Sequence, residues 1–162
     1  MGTIVHVDFK AGQVNATATA ARTSNREQGA KYEETQDLDI AGVAKLVRAD
    51  IKAAKKDGNL PAAMKVSVKI SRYSMGQSLT VEVVEAPFQV LNPARIVWAA
   101  VYPYGPPPVG CYRLTAEATR VLATLDDIVA AYNRRISDHW KFYGHVVFSS
   151  EITRAECKAA GF

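Results

Sequence analysis

A chain of 162 residues and 17.6 kDa, 48% apolar and 22% charged, has ordinary globular composition. That excludes multi-domain machinery and predicts one core needing neither disulfides nor a structural metal. No stretch approaches the roughly 18 consecutive apolar residues of a membrane span, and Met1-Gly2-Thr3-Ile4-Val5-His6 lacks the blocks of a signal peptide, so a cytoplasmic protein without membrane contact is expected. The net charge of +4 is mild, yet from Asp39 to Arg72 eight basic residues stand against three acids, a larger excess than that of the whole chain.

In chain order, Ile4, Val5, Val7 and Phe9 around His6 and Asp8 are compatible with a short edge strand. From Lys10 to about Gln36 the sizeable apolar groups are Val14 and Tyr32, without periodicity, which predicts a flexible arm there, so that residues 1–37 are expected to be a candidate short strand followed by an arm. Asn15-Ala16-Thr17 is a formal glycosylation sequon without meaning in a cytoplasmic setting. Order is expected to begin at Asp39, a good N-cap. Ile40, Val43, Ala44, Val47, Ile51 and Ala54 follow at helical spacing up to a stop at Gly58. The outer face of this helix carries Lys45, Arg48, Lys52, Lys55 and Lys56.

Met64 to Ser71 and Leu79 to Val83 alternate with period two on either side of a turn at Ser74 to Ser78, and predict an antiparallel hairpin. Met64, Val66, Val68, Ile70, Leu79, Val81 and Val83 form its apolar face, for packing on the first helix. Lys65, Lys69 and Glu82 face outward, placed to pair across the strands. Between Ala86 and Cys111 lies an irregular segment. In it Ile96 to Tyr102 suits either a buried strand or a short helix, and Pro103 to Pro108 forms an extended loop. A second amphipathic helix starts at Thr115 and runs through Val121, Leu125 and Val129 to Arg134-Arg135 at its C-terminal end. Trp140 to Phe148 reads as a final strand joining the hairpin, and residues 151–162 as a tail with at most one helical turn. The expected class is α+β, one domain over 38–150, with both helices on one face of a small sheet.

Candidates for chemistry are few. His6, His139 and His145 have no partner at metal-ligand spacing, and adjacent Asp126 and Asp127 point in different directions on a helix. Cys111 and Cys157 form no CxxC pair and are expected to be reduced. No GxGxxG, P-loop or HExxH occurs. No catalytic residue, metal or cofactor is therefore expected, and an enzymatic reading has only Asp138, His139 and His145 to rest on. The basic set Lys45, Arg48, Lys52, Lys55, Lys56, Lys65, Lys69 and Arg72 is the strongest feature. Clustered cations of this kind bind phosphates or an acidic protein patch, and Arg22, Arg26, Arg134 and Arg135 would extend the surface. The plain structural alternative is a solvated face that keeps a small domain soluble.

Two stretches, Leu38 to Lys52 and Met64 to Val81 with Ser71-Arg72-Tyr73-Ser74-Met75-Gly76-Gln77-Ser78 at its centre, resemble the twenty-ninth of the large polyvalent protein-associated domains of phages and conjugative elements. Leu114 to Ala118, Ile128 to Asn133 and Asp138 to Val146 extend the likeness across roughly residues 38–148. Departures occur at Val84-Glu85-Ala86-Pro87, where such domains often carry a Trp-Thr-Asp-Gly-Pro-like strand end, and at Pro103 to Pro108. The resemblance implies a phage or mobile-element origin, and action in the cytoplasm of a bacterial host, where proteins of this kind are linked to shielding incoming DNA from defence systems. It supplies no catalytic residues. The expectation is a non-enzymatic module that occupies a host protein or protein–nucleic-acid complex. The alternative is direct binding of DNA or RNA, and a homo-oligomer is compatible with either.

Overall fold

A computed structural model describes residues 28–74, 76–101, 113–136 and 139–161. The strand at Thr3 to Phe9, the arm before Gln28 and the Pro103 to Pro108 loop lie outside them. The described chain folds as α1 (Tyr32–Thr35), α2 (Ile40–Lys56), β1 (Lys65–Tyr73), β2 (Gly76–Glu85), α3 (Pro93–Val101), α4 (Ala116–Ala130), β3 (Arg134–Ile136), β4 (His139–Phe148) and α5 (Ser150–Ala159). The class is α+β, with a four-stranded sheet in the order β1-β2-β4-β3.

Helix α2 starts where Asp39 accepts a hydrogen bond from the Gly42 amide at 2.8 Å, and stops at Gly58, whose φ of 79° suits a residue without a Cβ. Its apolar stripe, Ile40, Val43, Ala44, Val47 and Ile51, is buried. β1 and β2 pair antiparallel with Val68 opposite Val81. The connection is tighter than the expected turn, because Tyr73 already pairs with Gly76. β4 then joins β2 in parallel, Val81 opposite Val146, after the chain has travelled through α3, α4 and β3.

The register sorts the sheet into two faces. Val66, Val68, Ile70, Leu79, Val81, Val83, Val146 and Phe148 share the one that meets α2 and α4. On α4, Val121, Leu125 and Val129 complete the core. The helix lies so close to β4 that a Cβ at Gly144 would sit 1.8 Å from Val129 Cγ1, so only glycine fits there. Ser67, Lys69, Thr80, Glu82, His145 and Val147 alternate onto the opposite face.

Three expectations need correction. First, α4 ends at Ala130, and Arg134-Arg135 belong to β3 rather than to a helix terminus; Tyr132 and Asn133 turn the chain so that Asn133 Oδ1 accepts from the Gly144 amide at 3.0 Å. Second, residues 28–37 are not part of a flexible arm. The Gly29 amide donates to Asn133 O and the Lys31 amide to Ala131 O, both at 2.9 Å, and Gln28 bridges Arg134. Third, the tail forms a ten-residue helix, α5. Ser149 caps it, Ile152 packs on the core, and the Glu156 carboxylate accepts from the amides of Val90 and Leu91 at 2.7 and 2.6 Å. Of the two readings offered for Ile96 to Tyr102, the helix is correct through Val101.

Candidate partner-binding surface

The cations of α2 occur at positions 45, 48, 52, 55 and 56, a spacing that sets them along one side of the helix away from its buried stripe. Among the described residues none of the five is in an ion pair with a carboxylate. Asp50, an acid within the same helix, is engaged elsewhere, with Lys31.

Arg48, Lys52 and Lys55 flank a groove of about 190 Å³ between α2 and β1, with Ile51, Val66 and Val68 as its apolar floor. Two of these cations also cover main-chain carbonyls of the neighbouring segment. Arg48 Nη2 donates to Val68 O at 2.8 Å, and Lys55 Nζ donates to Met64 O. Lys45 and Lys56 stand in solvent beside the groove without lining it.

The hairpin cations do not join this set. Lys69 projects from the sheet face opposite α2 and is paired with Glu82; Lys65 pairs with Glu85 at 2.9 Å. The Lys69–Glu82 pair is one the alternation predicted, while Lys65 finds Glu85 across a register shift next to Val66. The two pairs neutralise two of the eight candidate contacts. Arg72 sits at the far end of β1, its Nε directed to Gln77 Oε1 at 3.4 Å. The predicted patch is thus a helix stripe with three groove-lining members, and its lysines on β1 belong to a different surface.

Two polar clusters were not anticipated. Lys31 Nζ donates to Asp50 Oδ2 at 2.5 Å and to the Tyr132 hydroxyl at 3.0 Å, and that hydroxyl donates to the same carboxylate oxygen at 2.6 Å. Burial lowers the Lys31 pKa, but hydrogen bonds with Asp50 and Tyr132 outweigh it and leave the pKa raised. Tyr132, only 2% exposed, has its pKa raised by burial and then by Asp50. The cluster clasps residues 28–31 to α2 and to the end of α4. In the second cluster Arg134, 1% exposed, donates from Nη1 to the carbonyls of Gln36 and Leu38 at 3.0 and 2.8 Å. Burial lowers its pKa, opposed by Tyr32 and Asp37, and a guanidinium remains charged throughout the ordinary pH range. Arg134 therefore does not extend the basic surface.

Of the residues on which an enzymatic reading would rest, Asp138 lies outside the described residues. His145 Nε2 is 3.0 Å from Thr80 Oγ1 on the face away from α2. Among the described residues no group of three or more His, Cys, Asp and Glu side chains is arranged to hold a metal ion. No described helix is long and apolar enough to cross a membrane.

No protein-family model, no curated protein and no solved structure matches the chain.

Proposed function

We propose that the chain is a non-enzymatic binding module that acts by occupying an acidic protein partner through the outer face of α2. The observation that carries this reading is the groove in which Arg48, Lys52 and Lys55 surround an apolar floor of Ile51, Val66 and Val68. Its volume, about 190 Å³, is below the ~300–1,000 Å³ of small-molecule sites. Charge beside half-buried aliphatic surface suits a protein segment that offers both carboxylates and an apolar side chain. The bacterial mobile-element setting implied by the resemblance fits such an occupancy role.

Direct nucleic-acid binding is the second reading, supported by the continuity of the α2 stripe. The ion pairs at Lys65 and Lys69 count against it, because they remove two phosphate contacts the sequence seemed to offer. Fluorescence anisotropy with labelled acidic peptides, duplex DNA, single-stranded DNA and RNA over a salt series separates the two. The expected result is peptide binding that a Lys45→Glu, Arg48→Glu, Lys52→Glu, Lys56→Glu variant loses. Tighter binding of a nucleic acid, with a salt slope that drops by about 0.9 for each cation removed, would replace the first reading by the second.

A further inference from the structure

We infer that β1 is a docking edge, to which an extended acidic peptide segment adds as a fifth strand beside α2. The inference deepens the proposed function and rests on it. Among the described residues β1 is the terminal strand of the sheet, with one of its sides turned away from β2. The Val68 carbonyl receives Arg48 on that side, and period two turns the main-chain groups of Val66 and Ile70 the same way. An unpaired strand edge is a template for another strand, and proteins guard such edges with charge. Arg48 over Val68 O and Lys55 over Met64 O are guards of this type.

The guards also select the guest. A strand laid along β1 takes the Val68 carbonyl with its own amide and releases the Arg48 guanidinium, which is left beside Lys52 and Lys55 unless the guest brings carboxylates. An acidic strand supplies them, and the exchange trades a neutral acceptor for charged ones. The guest face that turns toward α2 carries those carboxylates over the floor formed by Ile51, Val66 and Val68, and its other face lies beside Ser67 and Lys69. Other occupants fit less well. A second copy of β1 would bring its own Arg48, Lys52 and Lys55 against the first set. Residues 1–27 hold three basic residues against two acids, and they join the fold at Gln28, which bridges Arg134 of β3 at the opposite edge.

The test uses the full chain and a capped hexapeptide of alternating Glu and Val, its Glu→Gln analogue, and two isomers N-methylated on alternate residues, one isomer per strand edge. A strand offers one edge to β1, so one methylated isomer is expected to lose at least tenfold in affinity while the other binds as the parent does. The Gln analogue is expected to bind at least tenfold more weakly, and amide exchange at Val66, Val68 and Ile70 to slow on binding. Arg48→Ala is expected to narrow the preference for Glu over Gln, with circular dichroism verifying the fold. If the parent peptide binds but both methylated isomers match it, strand addition is overturned while the acidic-partner reading stands. If the Gln analogue equals the parent and Arg48→Glu with Lys52→Glu changes nothing, both fall. Duplex DNA that binds more tightly than the peptide and competes for the same residues assigns the groove to phosphate, and overturns the inference.

Discussion

At the β1 edge of the sheet, arginine and lysine lie along a solvated groove and each reaches a single main-chain carbonyl. At the β3 edge Arg134 is buried and reaches two carbonyls of the segment leading into α2, while Lys31 is held by Asp50 and Tyr132. The same residue types therefore do opposite work at the two edges. Where the cation is enclosed, as Arg134 is, it fixes chain to chain and its removal should destabilise the fold. Where it is open, its bonds are exchangeable, and its removal should change binding and leave stability nearly intact.

The closed end should be the fragile one. Gly144→Ala, which drives a methyl group into Val129 on α4, is expected to cost about 3 kcal/mol or to prevent folding. Adding Val129→Ala should recover part of that loss, as chemical denaturation would show. Arg134→Ala strips the Gln36 and Leu38 carbonyls of a donor and opens a void, for an expected loss of about 3 kcal/mol; Arg48→Ala at the open edge should cost less than about 1 kcal/mol. A similar loss from both variants in urea titrations would abolish the contrast between the edges.

Tyr132→Phe removes a buried hydroxyl bonded to a carboxylate and an ammonium, and should cost about 2 kcal/mol. Its pH dependence sharpens the comparison. The folded-state pKa values of Lys31 and Tyr132 are both raised, so their contribution is complete below their ordinary values near 10 and is lost as pH rises through the raised ones. Urea midpoints of the parent should thus fall above about pH 10, and those of Tyr132→Phe should fall less. At the small end of the scale, Lys69→Ala should alter stability by under about 0.5 kcal/mol, since its partner Glu82 lies across an exposed strand face.

Much of the fold was legible because its signals are local. The stripe from Ile40 to Ile51, the Asp39 and Thr115 caps and the alternation of the hairpin each speak within a few residues, and each appears where expected. The Lys69–Glu82 pair follows from the same alternation, whereas Lys65 meets Glu85 through a register shift that alternation does not show. What escaped depends on distance along the chain. Lys31 and Tyr132 are 101 residues apart, Asp50 and Tyr132 82, and nothing around Lys31 marks it as a partner of either. The stretch from Gln28 to Gln36 looked unstructured because it has little apolar surface to bury. It is held instead by main-chain bonds to residues 131 and 133 and by Arg134. A short apolar run such as Ile96 to Tyr102 could not be assigned by period, and a segment as polar as α5 gave little hint that Glu156 would anchor it to a loop 65 residues away. Of the candidate surface, the helix stripe was readable from spacing and the alternation already turned Lys65 and Lys69 away from α2, whereas the groove between Arg48, Lys52, Lys55 and β1 depends on how the helix lies along the strand.

The parallel pairing of β2 with β4 also sets a timetable. Thr80 and His145 are neighbours in the sheet yet 65 residues apart in the chain, so during synthesis the hairpin and α2 emerge well before the strand that completes them. Loop closure over that span is slow compared with the formation of a helix or a hairpin. Until β4 arrives, the second side of β2 is open as well as the outer side of β1, and the nascent chain presents two strand edges where the described residues of the finished molecule present one there. Arg48, close in sequence to β1, can guard the outer edge from the start. The inner edge has no comparable charged cover on Val81 or Val83, which makes the interval before α4 and β4 are released the period of greatest exposure to misassembly.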